Sequence, residues 1–262
     1  MNKVKIIVAT HKKYKMPDDE IYLPLHVGCE GKEKLGYQLD NSGENISNKN
    51  ATFCELTGLY WAWKNLDAEY IGLCHYRRYF TCENIKTLNE DKKFKMVLNK
   101  KQVEEILKDT DIILPKKRKY YIENLYDHYK HTMYIETLDE TRNIIEEKCP
   151  NYLPEFDKLH KRTSAHMFNM FVMKKEYLNM YCEWLFDILF ELENRIDSNK
   201  YDSFHARYLG RISELLLDVW INTNELNYKE VKVIDMQNVN WLKKGGAFLM
   251  AKFTGKKYRG SF

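Results

Sequence analysis

Apolar residues follow two rhythms along this chain. In "VKIIVATHKKY" they run unbroken and β-branched, which predicts a strand buried on both faces, with Thr10, His11 and Lys12 at its carboxyl end. "EYIGLCHYRRYF", residues 69–80, has the same form. Tyr70, Ile71, Leu73 and Cys74 predict a second buried strand, and His75, Tyr76, Arg77 and Arg78 stand where it opens. Between the two, "LGYQLDNSGENISNKNATF" is crowded with Asn, Asp, Ser and Gly, whose local hydrogen bonds favour turns, so it is a loop. The second rhythm is helical. In "CELTGLYWAWKNLD", Leu56, Leu59, Tyr60 and Trp63 recur at three- and four-residue spacing. Asn50 or Thr52 would cap that helix, and Glu55, three residues after Thr52, matches a capping box.

Further on, "KQVEEILKDTDIILP" predicts a helix and then a short strand ended by Pro115. "YYIENLYDHYKHTMYIETLDETRNIIEEKCP" is helical and polar, "MFVM" reads as a strand, and "LNMYCEWLFDILFELENRI" as a long helix. "RISELLLDVWINTN" is the last clear helix, with Ile212, Leu215, Leu216, Val219 and Trp220 as its apolar stripe. Alternating strands and helices predict an α/β fold with a mainly parallel central sheet covered by helices. A domain over residues 1–228 is followed by a basic and aromatic tail, 229–262, expected to pack on the domain or on a membrane surface. No internal repeat or low-complexity segment interrupts this plan.

Composition narrows the classes. The chain has 262 residues, of which 44% are hydrophobic and 31% charged, as in an ordinary soluble domain. Its 42 basic and 38 acidic residues leave a net charge of only +4, too weak for a nucleic-acid-binding face. Basic residues gather locally at Lys116 to Lys119 and Lys256 to Arg259. Nineteen tyrosines, twelve phenylalanines and five tryptophans suit either an aromatic core or a cleft for planar bases and sugars. Six cysteines with no CxxC pair point to a reducing cytoplasm. The N-terminal apolar stretch is too short for a signal peptide and no run reaches spanning length, so any membrane contact is expected to be peripheral.

The candidate chemistry is cationic. Arginine forks bind phosphate oxygens bidentately and stay charged, so Arg77 and Arg78 at a strand end suit a diphosphate. The alternative is a solvated ion-pair cluster. The apolar strand before them, Tyr79 and Phe80 after them, and His11-Lys12 at the other strand end favour the anion seat. "DTD" at Asp109 to Asp111 precedes a strand instead of following one, so it fits helix termination better than a Mg²⁺ or Mn²⁺ site. Arg207, Arg211, Glu214 and Asp218 share the helix side away from the apolar stripe: either a solvated face, or one that aims Glu214 into a cleft as a general base. His166 and Asn169 lie beside the "MFVM" strand, suited either to sugar hydroxyls or to a satisfied core. No phosphate loop, HExxH, nucleophile elbow or zinc spacing is present.

With those residues in view, the chain resembles the bacterial capsular and exopolysaccharide glycosyltransferases catalogued as a domain of unknown function. "KIIVATHKKY", "LGYQLDNSGENISNKNATFCELTGLYWAWKN", "YIGLCHYRRYF", "HMFNMFVMKKEYLNMYCEWLFDILFELE" and "GRISELLLDVWI" carry the resemblance, in that order, over most of residues 1–225. It implies a GT-A-like nucleotide-sugar-binding fold in the cytoplasm, at the inner face of the plasma membrane. It implies a galactofuranosyltransferase taking UDP-galactofuranose, with UDP-galactopyranose or UDP-glucose as alternative donors. The acceptor would be a lipid-linked glycan or an oligosaccharide in capsule, exopolysaccharide or O-antigen synthesis. Carried over, Ala9, Thr10 and His11 would border the uracil and ribose, and Asp40, Asn41 and Asn45 would lie near the donor. His75, Arg77 and Arg78 would face the diphosphate; Tyr76, His166 and Asn169 would meet the sugar or acceptor; Glu214 would be the base. A divalent metal is left open, without an Asp-x-Asp at the expected place. A non-catalytic glycan- or nucleotide-sugar-binding module is the competing reading.

Overall fold

The computed structural model describes residues 2–84 and 89–237. The N-terminal apolar run is strand β1 (Asn2–Thr10). Its side chains alternate between two cores, Ile7 and Ala9 joining one, Val4, Ile6 and Val8 the other. Burial on both faces is why the run is apolar throughout. β1 pairs in parallel with β2 (Tyr22–His26), and β2 with the short β3 (Gln38–Leu39).

The helix expected next is broken into α1 (Asn50–Phe53) and α2 (Leu56–Asn65). Cys54 between them has φ of 55°, a left-handed conformation that no continuous helix allows. Asn50 braces the break by donating to the Cys54 carbonyl at 2.6 Å. The expected capping box does not form. The Thr52 hydroxyl donates to the Lys49 carbonyl at 3.2 Å, and Glu55 precedes α2 with its side chain turned elsewhere.

β4 (Ala68–His75) pairs in parallel with β1. The chain then reverses over Tyr76 and Arg77 into β5 (Arg78–Thr81), with His75 opposite Arg78. After α3 (Glu90–Phe94) and α4 (Lys100–Ile106) come β6 (Ile112–Pro115) and β7 (Arg118–Lys119). α5 (Leu125–Thr132), α6 (Ile135–Lys148) and α7 (Leu153–Asp157) lead to β8 (Ser164–Ala165) and β9 (Phe171–Lys174). α8 (Lys175–Arg195), α9 (Tyr208–Thr223) and β10 (Lys229–Asp235) complete the described fold.

The eight-stranded sheet has the order β3-β2-β1-β4-β5-β10-β6-β9, and β9 also pairs with β4. It is mixed, which corrects the mainly parallel sheet expected from the alternation. β4–β5, β5–β10, β4–β9 and β6–β9 are antiparallel, whereas β1–β2, β1–β4, β2–β3 and β6–β10 are parallel. A two-residue turn leaves no room for a parallel crossover, so HYRR must make a hairpin. Gly72 permits the crowding around β4, because a Cβ there would lie 2.8 Å from the Phe171 carbonyl of β9.

The first residues of the segment expected as a tail form a strand of the sheet. β10 lies inside the sheet, between β5 and β6, and only Val231 and Ile234 of it are fully buried among its apolar residues. Charged neighbours in "KEVKVID" conceal that strand in the sequence. Residues 238–262 lie outside the described residues, and with them the proposed membrane contact of the tail. Among the described residues no helix is long and apolar enough to cross a membrane.

α9 behaves as its stripe predicts. Ile212, Leu215, Leu216, Val219 and Trp220 are all buried, together worth on the order of 10 kcal/mol of apolar transfer. That anchoring fixes the opposite face of the helix, which carries Glu214 and Asp218 at 6% and 2% exposure. It is not a solvated face.

Candidate active site

Strands β1 and β4 lie side by side and end together, so their carboxyl ends deliver His11-Lys12 and His75-Tyr76-Arg77-Arg78 to one place. The Tyr76 amide donates to the Ala9 carbonyl at 3.1 Å, locking the two ends. The buried Tyr76 ring is the floor there: His11 meets it edge-on at 5.5 Å, Lys12 Nζ sits 5.2 Å from it and the Arg77 guanidinium 5.9 Å. Burial of the His11 ring lowers its pKa, and Lys12, Arg207, Arg77 and Lys32 lower it further. The field at this lip is positive. Thr10 is buried, its hydroxyl donating to the Lys12 carbonyl at 2.6 Å, which shapes the strand exit.

The two arginines differ. Arg77, on the hairpin turn, lies over the Tyr76 ring and donates to Gln237 Oε1 at 3.4 Å. Arg78 is drawn in: Nε lies 3.2 Å from Asp235 at the end of β10, and its guanidinium covers the Phe168 ring at 4.5 Å. Burial lowers its pKa, against Asp235, and Glu214 also acts on it.

Two carboxylates, the largely buried Glu55 and the buried Glu214, complete the site. Glu55 reaches this space because the Cys54 kink turns it out of the helix. Its carboxylate accepts from Asn169 Nδ2 at 2.8 Å and lies 3.8 Å from His75 Nε2. Burial alone would raise its pKa, but His75, the Asn169 amide and Arg207 outweigh burial and hold it below the usual range. His75 Nε2 is 2.7 Å from the Phe168 carbonyl, which only a protonated Nε2 can satisfy. Burial lowers the His75 pKa, opposed by Glu55 and helped by Arg78. Phe168 and Asn169 have φ of 79° and 52°, a left-handed pair that costs energy for non-glycine residues. Asn169 is held by a second bond to the Gly210 carbonyl at 3.0 Å.

Glu214 enters from α9. Burial raises its pKa; Arg211, whose Nη1 is 3.5 Å away, opposes this, Glu55 adds to it, and Arg78 and Arg118 oppose it again. Arg207, one turn before Arg211, donates to Cys54 Sγ at 3.1 Å. Tyr120 is pushed up to about 12 by burial, with Arg118, Glu214 and Arg211 beside it. Arg78, Arg118, Arg207 and Arg211 all act on Glu214, and Arg77 and Lys12 add positive charge at the strand ends, so cations outnumber the carboxylates Glu55, Glu214 and Asp235. That suits an anionic ligand.

Other sequence-based candidates lie elsewhere. Asp40 is fully buried and its oxygens accept from Gly28 N at 2.7 Å, Cys29 N at 3.2 Å, Ser47 Oγ at 2.5 Å and Thr57 Oγ1 at 2.7 Å. It knots the loop and has no capacity left for a donor. Asn41 bonds Glu30, and Asn45 bonds Gly43 and Ser47, again within that loop. His166 is fully buried between Asp218 at Nδ1 and Glu230 at Nε2, the latter at 3.1 Å, so its ring clamps α9 to β10 and is closed to a sugar. Asp111 of "DTD" accepts from the Tyr70 hydroxyl at 3.1 Å and lies just before β6, where the strand starts. Glu55, Arg118, Arg207 and Arg211 are the residues sequence reasoning did not place in the site. Glu55 was hidden by its likeness to a capping residue, and Arg118 by its basic neighbours. Among the described residues no three His, Cys, Asp or Glu side chains converge as a metal site requires.

Residues 5–225 match the family model described as Domain of unknown function (DUF4422). Among solved structures, the chain is similar to the apo structure of WbbM, a bifunctional glycosyltransferase, with a TM-score of 0.82 and 32% identity. That match covers 90% of this chain and 46% of the other, so this chain spans about half the length of WbbM. No curated protein matches the chain. With the family model covering the strands, the hairpin and the α9 helix that build the site, the chain belongs to the DUF4422 family.

Proposed function

We propose that the protein is a glycosyltransferase that moves a hexosyl group from a UDP-sugar to an acceptor hydroxyl with inversion at C1. The observation that carries this reading is the buried Glu214 carboxylate of α9, on which Arg78, Arg118, Arg207 and Arg211 all act. The likeness to WbbM supports it. The resemblance to galactofuranosyltransferases favours UDP-galactofuranose as donor, and a lipid-linked or oligosaccharide glycan of capsule, exopolysaccharide or O-antigen synthesis as acceptor.

The chemistry follows from the charges. The acceptor oxygen attacks C1 as its proton passes to Glu214, and the C1–O bond breaks with its electron pair leaving on UDP. A carboxylate whose pKa is raised holds that proton more strongly and is the better base. Arg77 and Arg78 face the charge that grows on the diphosphate. Fixed cations favour that state over the bound substrate, because the charge is larger there. Glu55 orients His75 and, being negative, raises the proton affinity of Glu214.

The test is UDP release from UDP-galactofuranose, UDP-galactopyranose and UDP-glucose with a crude lipid acceptor fraction. Acceptor-dependent release that Glu214→Gln abolishes supports the transferase. Donor binding without turnover would favour a non-catalytic module, and full turnover by Glu214→Gln would remove the base assignment.

A further inference from the structure

Tyr121 is 90% exposed and Ile122 59%, and these are two of the three large hydrophobic side chains left exposed among the described residues. They are adjacent, at the tip of the loop between β7 and α5. A protruding aromatic and an aliphatic side chain together cost solvent contact without a packing return, and such a pair marks a contact surface more often than scattered single residues do.

The stem below the tip is cationic. Lys116, Lys117, Arg118 and Lys119 lead into it. β7 pairs antiparallel with β8, Lys119 opposite Ser164, and the Tyr120 amide donates to the Thr163 carbonyl at 2.7 Å. This ribbon brings Lys161 alongside. From Lys116 to Ile122 and from Lys158 to Ala165 there is no acidic residue. Glu123, the first acid after the tip, is buried, its carboxylate 2.8 Å from His131 Nδ1. The loop thus presents apolar tips and exposed lysines with no acidic residue in either segment, and the Glu155 carboxylate beside it is taken up by Lys158 and Arg162. Lys116, Lys119 and Lys161 are exposed. Arg118 and Tyr120 of the same loop stand beside Glu214, so the tip borders the site.

We propose that this loop docks the protein on an anionic membrane surface, with Tyr121 and Ile122 entering the headgroup layer and Lys116, Lys119 and Lys161 facing the lipid charges. Aromatic and aliphatic tips over lysines match that boundary, which is apolar below and negative above. Docking there turns the mouth beside Glu214 toward the bilayer. The docking stands by itself; its use, to present a lipid-borne acceptor, rests on the transferase reading above.

Flotation of the full chain with vesicles of phosphatidylcholine alone, and of equal parts phosphatidylcholine and phosphatidylglycerol, tests it. The wild type is expected on the anionic vesicles only, and less so as salt rises. Each lysine near such a surface is worth about fivefold in partition, so Lys116→Gln/Lys119→Gln/Lys161→Gln loses on the order of 10²-fold. Tyr121→Ser/Ile122→Ser loses roughly tenfold. Both variants are expected to keep wild-type turnover on a water-soluble acceptor, since none of these side chains touches the site. Absence of wild-type binding to anionic vesicles, or unchanged binding by both variants through another segment or a protein contaminant, overturns the docking. Binding with these losses but no transfer to any acceptor leaves the docking intact and removes the transferase reading.

Discussion

Arg77 and Arg78 are neighbours in sequence but are predicted to fail in different ways when replaced. Arg77 donates to Gln237 at 3.4 Å, and no carboxylate among the described residues pairs with it within ion-pair distance. Arg77→Ala should therefore leave stability within about 0.5 kcal/mol of wild type, as for other surface substitutions. Its loss removes one of the positive charges of the site. At about 4 Å and an effective dielectric of about 20, a unit charge pair is worth roughly 4 kcal/mol, and the part that grows on going to the transition state is of order 2–4 kcal/mol. That corresponds to a fall of about 10² to 10³ in kcat. Arg78→Ala removes the partner of Asp235, and the two side chains are 15% and 25% exposed. Breaking a fully buried pair costs about 3–5 kcal/mol; with this residual exposure about 2–3 kcal/mol is expected, lowering Tm by roughly 5–10 °C. Steady-state UDP release and urea unfolding of both variants give the comparison. Unchanged turnover in Arg77→Ala would show that the hairpin does not hold the diphosphate. A stable, inactive Arg78→Ala would show that the Asp235 contact contributes little.

Glu214 must be ionised to accept a proton, so kcat/KM should rise with pH through its raised pKa, and the acid limb should lie above the ordinary glutamate value of about 4.3; a limb at or below that value refutes the base. Glu55→Gln removes the negative neighbour that raises Glu214, so the same limb should move to lower pH while kcat falls, as a pH–rate profile of the variant will show. A limb that stays in place would mean the two carboxylates are uncoupled. His166→Ala strands the buried Asp218 without its partner and should cost about 3–5 kcal/mol in urea unfolding, with KM for the donor unchanged in the folded fraction. His166 bonding holds the Asp218 pKa down against burial, so this stability is present above the ordinary aspartate value and fades as pH falls through the folded-state pKa. Wild-type stability in His166→Ala would mean the clamp is not structural.

What the sequence determined by itself is local. Unbroken apolar runs located β1 and β4 and helical periodicity located α8 and α9, because burial of a strand or a helix face is written in neighbouring residues. The cations at the mouth of β1 and β4 were legible for the same reason: an apolar strand ending in His, Tyr, Arg and Arg is a contiguous signal. Pairing direction was not legible. The hairpin at Tyr76-Arg77 made part of the sheet antiparallel, and β10 entered it although its strand alternates too many charges to stand out.

Tertiary structure alone decided which polar groups are open to chemistry. Asp40 and His166 looked like ligands in sequence but are saturated by distant partners, Gly28, Ser47 and Thr57 for the one, Asp218 and Glu230 for the other. Glu55 looked like a cap, and a single left-handed residue at Cys54 sends it into the site instead. Glu55, Arg118 and Glu214 come from positions far apart in the chain, and no local pattern records that they meet. The physical reason is that a carboxylate's proton affinity depends on burial and on the charges within a few ångströms, and both are properties of the folded neighbourhood.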